Sequence, residues 1–372
     1  MRRKTLTFVT LFPECGNNEL VKDVGQIPYM LSQIYGYKAS IVHSKINPAG
    51  PNLKSINGVS LIHMPMLFNN ISLTGIVYLL FNAKKIDWLN LYHAGRRSLY
   101  WTKLYKFLNP NGKVYLKLDL DFRSCKKYDN DLWEREFLVK NVMSVDLVTV
   151  ETKAVLERIL PYTGNKVKLL GNGYCEPKTK LDVESKRENI FLTVGRLGTE
   201  QKATDILLDA FAQTASQHNW ILKLIGSMAP DFESTKEKFF HDHPELRNRI
   251  IFTGNIDSRE RLYNEYCKAK VFVLPSRWES FGLVCAEALS CGCHIIVSDQ
   301  VPPMQEVTND GKYGQIVPAD NISALAQAML QATQCTYTSE KASEIAEYAR
   351  EHLAWDKICR KLYEYMTDQE AK

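Results

Sequence analysis

The chain has 372 residues, of which 45% are hydrophobic and 24% charged, with a formal net charge of +5. At roughly 150 residues per domain this predicts about two domains with substantial cores, and no run approaches the ~18 apolar residues of a membrane-spanning helix. Nine scattered cysteines, odd in number and without a C-x-x-C pair, exclude a disulfide framework and a clustered-thiolate zinc site; reduced, mostly buried thiols in a cytoplasmic protein are expected.

In chain order, MRRKTLTFVTLF has a basic start and a short apolar run ended by Pro13 and Glu14. Without a small-residue cleavage site it reads as a first strand rather than a signal peptide. Strand patterns then recur at 5–12, 38–43, 59–64, 86–92, 113–120, 146–151 and 166–170. A second series runs at 190–195, 220–226, 250–253, 270–275, 294–298 and 315–317. Helical patterns lie between them, as at 202–217, 258–269, 282–291, 322–333 and 339–352. Alternation of this kind predicts parallel sheets covered on both faces, and two series predict two doubly wound domains. The polar segment 174–189 follows the turn Gly171-Asn172-Gly173 and reads as the hinge. The expected domains are therefore 1–173, the hinge, 190–350, and a C-terminal helix over 351–372 packing back on the first. Ligands of doubly wound sheets bind outside the carboxyl ends of the strands, so a cleft between two such domains is the expected site.

Charge divides unevenly. Residues 1–173 carry 24 lysines and arginines against 13 aspartates and glutamates; the remainder carries 23 against 29. The basic half calls for an anionic partner: membrane lipid, a phosphate-bearing acceptor or nucleic acid. No RNA or DNA motif accompanies it. Residues 71–113 interleave Trp88, Tyr100, Trp101, Tyr105 and Phe107 with Lys84, Lys85, Arg96, Arg97, Lys103 and Lys106. Such a mixture suits an anionic membrane surface, and equally ordinary helices with core aromatics and a solvated basic face.

Two stretches carry chemistry. In PSRWESFGLVCAEAL, 275–289, Ser280 is a plausible N-cap for a helix from about Phe281 to Ser290, closed by Gly292. Phe281, Gly282 and Leu283 would fill a first turn whose N–H groups lack helical partners, a site for phosphate or sugar oxygens. Glu279 and Glu287 frame it, and a carboxylate accepts from two vicinal hydroxyls. In VGRLGTEQK, 194–202, a strand runs into Gly195, and Arg196 and Lys202 are placed to clamp a diphosphate. Neither G-x-x-x-x-G-K-[ST] nor G-x-G-x-x-G is present, so ATP or NAD use has no motif behind it.

These motifs, with LIGS at 224–227, FTGNI at 252–256, SDQVPPMQEV, GKYGQIVPADN and GNGY at 171–174, make the C-terminal half resemble the donor domain of GT-B retaining glycosyltransferases of family 4 (glycosyl transferases group 1). The resemblance implies an α/β chain of two Rossmann-like domains facing across a cleft. It implies a transferase moving a hexose or N-acetylhexosamine from a nucleotide-diphospho-sugar to a saccharide acceptor, expected to be lipid-linked, in polysaccharide or glycolipid biosynthesis. Arg196 and Lys202 would neutralise the diphosphate. Glu279 and the N–H groups of Phe281, Gly282 and Leu283 would hold the sugar and Glu287 the ribose, while Gly195 and Gly16 would also bind the donor, Gly16 through close approach of its backbone to the diphosphate. No metal and no cofactor is implied beyond the nucleotide-sugar co-substrate, a UDP-sugar in preference to a GDP-sugar. The place of action would be the cytoplasm or the inner face of the cell membrane, and nucleic acid is not an expected partner.

The chain departs from the family pattern at Ala203, where Lys-Gly is usual, and at Pro302-Pro303 and His294, the last read as structural. In the first half only Gly16 remains of a usual Gly-Gly loop. Lys117-Leu118-Asp119-Leu120-Asp121 stands where His-Asp is common, leaving His93, Asp119 and Asp121 as acceptor-side candidates. His241-Asp242-His243 reads as a solvated loop. Two rivals remain open: a catalytically silent homologue binding glycans or a partner, and a different enzyme on the same scaffold, a sugar-nucleotide epimerase or an inverting transferase.

Overall fold

The structure, a computed structural model, describes residues 5–177 and 181–370. It divides into two units, one through Cys175 together with the residues from Ala354 on, the other Glu176–Leu353. In the first unit the strands are β1 (Thr7–Leu11), β2 (Lys38–His43), β3 (Ser60–His63), β4 (Trp88–Tyr92), β5 (Lys113–Lys117), β6 (Leu147–Val150) and β7 (Val167–Leu169). Its helices are α1 (Asp23–Tyr35), α2 (Ile71–Asn82), α3 (Arg96–Leu108), α4 (Lys126–Asn130), α5 (Leu132–Ser144) and α6 (Lys153–Thr163). The sheet order is β3-β2-β1-β4-β5-β6-β7, every pairing parallel.

The second unit holds β8 (Glu188–Val194), β9 (Ile221–Ile225), β10 (Ile250–Gly254), β11 (Ala269–Leu274), β12 (His294–Ser298) and β13 (Gly314–Val317). Its helices are α7 (Thr204–Thr214), α8 (Phe232–Asp242), α9 (Arg259–Lys268), α10 (Leu283–Ser290), α11 (Met304–Val307), α12 (Ile322–Gln334) and α13 (Ser339–His352). Its order, β10-β9-β8-β11-β12-β13, is again all parallel. Both sheets thus have the doubly wound order in which the chain reverses direction beside its first strand, between β1 and β4 and between β8 and β11.

Local sequence explains the elements. WLNLY of β4 and LVTV of β6 are buried at every position, as strands covered by helices on both faces must be. Side chains of Asn70, Asp131 and Thr152 accept hydrogen bonds from first-turn N–H groups of α2, α5 and α6, and Ser258, Asn321 and Thr338 do the same for α9, α12 and α13.

A last helix, α14 (Trp355–Glu370), belongs to the first unit and buries Trp355, Cys359, Leu362 and Met366 against Phe8, Ile27, Leu31 and Trp88. Tyr363 stacks on Tyr35 at 4.0 Å, and the Glu370 carboxylate accepts from Trp88 Nε1 at 2.9 Å. The stretch 174–189 is not all connector: β8 opens at Glu188, and buried Arg187 donates to the Ala269 carbonyl at 2.6 Å. Lys178–Lys180, in its middle, lie outside the described residues. His241 and Asp242 end α8 instead of lying in a loop, because the apolar face carrying Phe232, Phe239 and Phe240 winds the segment into a helix. His294 opens β12 half-buried, with its ring edge toward Tyr337.

Candidate functional site

In the second unit the carboxyl ends of β8 and β11 lie side by side where the strand order reverses, the place where such a sheet leaves a crevice. From β8 the chain runs through Gly195 and Arg196 to Lys202; from β11 it runs through Pro275 and Ser276 to Glu279. The Lys202 Nζ forms an ion pair with Glu279 Oε1. That oxygen also accepts from Ser276 Oγ at 2.8 Å, and Gln201 Nε2 donates to the Trp278 carbonyl at 3.0 Å. The two ionic side chains are only 15% and 11% exposed, so the pair is held out of bulk water, where charge-assisted bonds gain strength. Exposed Arg196 donates to Gln201 Oε1 at 2.7 Å, on the same loop.

The turn is built on close backbone approach. Gly195 N–H donates to the Ile225 carbonyl at 2.9 Å, and Gly226 follows that strand with φ 136°. A Cβ on Gly226 would stand 1.8 Å from the Gly195 oxygen, so only glycine fits there.

Helix α10 starts at Leu283, two residues later than the sequence pattern suggests, and Ser280 is not its N-cap. Gly282 occupies the cap position in the left-handed region (φ 78°, ψ 51°), with no side-chain cap bond. A Cβ there would meet Val301 Cγ1 at 2.9 Å. Phe281 is buried, and the N–H groups of Leu283 and Val284 head the helix without intrahelical partners. Phe281 and Gly282 therefore precede the first turn instead of filling it.

Glu287, one face further along α10, is no solvated helix residue. Its Oε1 accepts from Arg259 Nη2 at 2.9 Å and its Oε2 from the Tyr266 hydroxyl at 3.1 Å, both from α9. These partners, like Gln201 and Ser276, carried no sequence signal of their own: a side chain on a neighbouring helix is placed by tertiary packing. Arg277 also stays within the unit, donating to Asp205 Oδ2 at 2.9 Å.

The first unit has its own pocket at the carboxyl ends of β1, β4 and β5. It has a volume of about 270 Å³ and is lined by Phe12, Glu14, Tyr92, His93 and Asp119 among others. His93 (φ 61°) and Asp119 (φ 45°) both adopt left-handed backbone, and their side chains approach to 3.9 Å. The rings of Phe12, Tyr92 and His93 cluster within 6.3 Å of one another. Asp121 does not join them: its carboxylate accepts from Ser124 N–H at 2.8 Å and Ser124 Oγ at 2.7 Å, closing a turn. Nor is the Gly16 N–H free for a ligand, since it donates to Glu19 Oε2 at 3.0 Å.

Beneath this pocket sits a buried charge cluster that the sequence reading missed. Lys117, at the end of β5, is fully buried and pairs with Glu151 and, at 3.0 Å, with Asp23; it donates to Asn172 Oδ1 at 2.9 Å. Burial opposes the charge on Lys117, but Asp23 and Glu151 outweigh it and hold its pKa above the usual value. Burial raises Glu151 from the usual 4.5 to about 7, with Lys117 pulling the other way.

The two sheets and their flanking helices define a GT-B fold. Residues 178–352 match the family model of the glycosyl transferases group 1. An uncharacterized 41.2 kDa protein of the cps region in Klebsiella pneumoniae is 30% identical over 168 residues, 45% of this chain and 43% of that one. The lipopolysaccharide core biosynthesis mannosyltransferase LpsB of Rhizobium meliloti is 28% identical over 228 residues, 57% of this chain and 61% of that one. The chain spans less than half the length of the first curated relatives it matches. Among solved structures, Anabaena HepE in complex with UDP superimposes with a TM-score of 0.73 at 16% identity, covering 98% of this chain and 100% of that one. Among the described residues no helix is long and apolar enough to cross a membrane.

Proposed function

We propose that the chain is a glycosyltransferase of polysaccharide or lipopolysaccharide assembly. It would move a hexose or N-acetylhexosamine from a nucleotide-diphospho-sugar, a UDP-sugar by preference, to a saccharide acceptor carried on lipid at the inner membrane face, with retention of configuration and without a metal. The observation that carries this reading is the Lys202–Glu279 pair beside Gly282 at the head of α10. It stands within the stretch matched to the glycosyl transferases group 1. The mannosyltransferase LpsB and the UDP complex of HepE support the sugar and nucleotide classes.

On this reading the ion pair is a placeholder. An arriving diphosphate takes over the Lys202 ammonium, with Arg196 turning from Gln201 to the same phosphates, and so releases Glu279 Oε1 to accept sugar hydroxyls. Glu287, held rigid by Arg259 and Tyr266, retains lone pairs for two vicinal ribose hydroxyls. The partnerless N–H groups at the start of α10 and its dipole add positive potential where the leaving diphosphate develops charge. No side chain need attack the sugar: the departing phosphate oxygen can take the acceptor's proton as the new bond forms. His93 and Asp119 are assigned to the acceptor, and the aromatic cluster offers an apolar face to a sugar ring.

The test is incubation with UDP-, GDP- and ADP-sugars, following release of the nucleoside diphosphate. One sugar nucleotide should be hydrolysed slowly without acceptor, and Glu279→Ala and Arg196→Ala should each abolish this. Turnover of none of them, with no binding either, would overturn the reading.

A further inference from the structure

The second unit has a cavity at the edge of its sheet opposite to Lys202 and Glu279. It opens at the amino ends of β8 and β11 and has a volume of about 450 Å³. Strands of seven and six residues at ~3.3 Å per residue set it roughly 20 Å from the Lys202–Glu279 pair. Three cations line it: Lys186 and Arg187 just ahead of β8, and Lys270 in β11. Arg187, 9% exposed, donates its terminal nitrogens to the carbonyls of Ala269 at 2.6 Å and of Cys291. It lies so close to Gly292 that a Cβ there would stand 2.7 Å from its Nη2. Lys270 Nζ donates to Asn189 Oδ1 at 2.6 Å and lies 5.6 Å and 5.8 Å from the ring centres of Trp220 and Tyr337. Positive charge here is thus met by backbone dipoles, an amide and ring faces, and among the described residues none of the three cations forms an ion pair with a carboxylate.

Two of the lining residues also carry buried polar atoms without a hydrogen-bond partner among the described residues, Arg187 Nε and the Tyr337 hydroxyl. Folded chains rarely leave such donors unpaired. Thr338 and Ser339 complete the wall where α13 begins, a helix whose first N–H groups lack intrahelical partners. We propose that this cavity binds a small phosphate ester, with its phosphate oxygens taken by Lys186, Lys270, Arg187 Nε and the Tyr337 hydroxyl, and by the head of α13. Glu184, the one carboxylate among the described lining residues, accepts from hydroxyls of the esterified part, which selects an ester over bare phosphate. The inference is independent of the nucleotide-sugar reading, since it concerns the other edge of the sheet and needs no turnover.

The experiment is calorimetric and thermal-shift titration of the full chain with glycerol 3-phosphate and with inorganic phosphate, against sodium chloride at equal ionic strength. The ester should bind more tightly than phosphate. Lys186→Ala with Lys270→Met should lower its affinity about tenfold or more, two charge-assisted bonds being lost. Tyr337→Phe should lower it severalfold, yet without ligand melt no lower than the unaltered chain, since its hydroxyl has no partner to lose. Lys202→Ala should keep the full affinity, which separates this cavity from any site for a sugar nucleotide. A shift no larger than that of chloride overturns the proposal. So does equal affinity in the Lys186→Ala, Lys270→Met chain or in Tyr337→Phe, or loss of binding in Lys202→Ala. Inorganic phosphate binding as tightly as the ester overturns the role given to Glu184 and with it the choice of ligand.

Discussion

At the scale of single residues the Lys202–Glu279 site depends on two kinds of requirement, space and charge. Gly226 is the spatial one. A methyl at 1.8 Å from the Gly195 oxygen, on backbone with φ 136°, cannot be accommodated without separating β8 from β9. Gly226→Ala should destabilise by about 3 kcal/mol or more, measured by urea unfolding, and a loss under about 1 kcal/mol would contradict the geometry. Charge is carried by Lys202 and Glu279. Removing Lys202 leaves a carboxylate 11% exposed without its cation, whereas Glu279→Gln together with Lys202→Met leaves no ion. The single Lys202→Met should therefore cost about 1–3 kcal/mol and the double variant less, a non-additivity that urea titration resolves. Of these residues, Lys202, Glu279, Gly195 and Gly282 were legible in the sequence because motif and turn chemistry mark them. Ser276, Gln201, Arg259 and Tyr266 were not, since their roles exist only once strands and helices converge.

At the scale of elements, the strand and helix periods located the thirteen strands of the described residues within a few positions, and the departures are instructive. Sequence placed the start of α10 at Phe281 on the strength of Ser280, but the left-handed Gly282 delays it to Leu283. Sequence carried the β5 pattern through to Leu120, yet the strand stops at Lys117, because the left-handed backbone at Asp119 turns the chain away. Lys117 then finds itself inside the sheet edge between β5 and β6, a burial that no local pattern announces. It neutralises two carboxylates from separate elements, Asp23 of α1 and Glu151 after β6. Lys117→Met should cost on the order of 3–5 kcal/mol at neutral pH by leaving them uncompensated. The sign of its pH dependence follows from Glu151, raised to about 7: as pH falls below that value the folded chain takes up a proton there, so the penalty should shrink. Denaturant unfolding at two pH values checks this, and a penalty that grows on acidification would contradict it.

Considering the whole molecule, acid stability should be governed in part by a half-buried histidine. Burial, helped by Lys341, holds His294 at about 4 instead of its usual 6.5, so the unfolded chain binds a proton that the folded chain refuses. The stability it contributes is present above pH 6.5 and is lost as pH falls toward 4, by at most about 3 kcal/mol. His294→Gln should flatten that part of the profile in denaturant unfolding across pH 4–7, and an unchanged profile would contradict the assignment. The fold was readable because parallel sheets write themselves in local patterns, short buried strands alternating with longer amphipathic helices. Of the first unit's pocket only His93 and Asp119 were readable, because its lining gathers the turns after β1, β4 and β5 and the start of α1, which lie far apart in the chain.

If Lys202 and Glu279 exchange their mutual bond for the two ends of one donor, calorimetric titration with UDP and a UDP-sugar will separate their contributions. Lys202→Ala should weaken both ligands at least tenfold, while Glu279→Ala should bind UDP as well as or better than the unaltered chain and lose only the increment contributed by the sugar. Equal loss of UDP and UDP-sugar in Glu279→Ala, or full UDP affinity in Lys202→Ala, would contradict it.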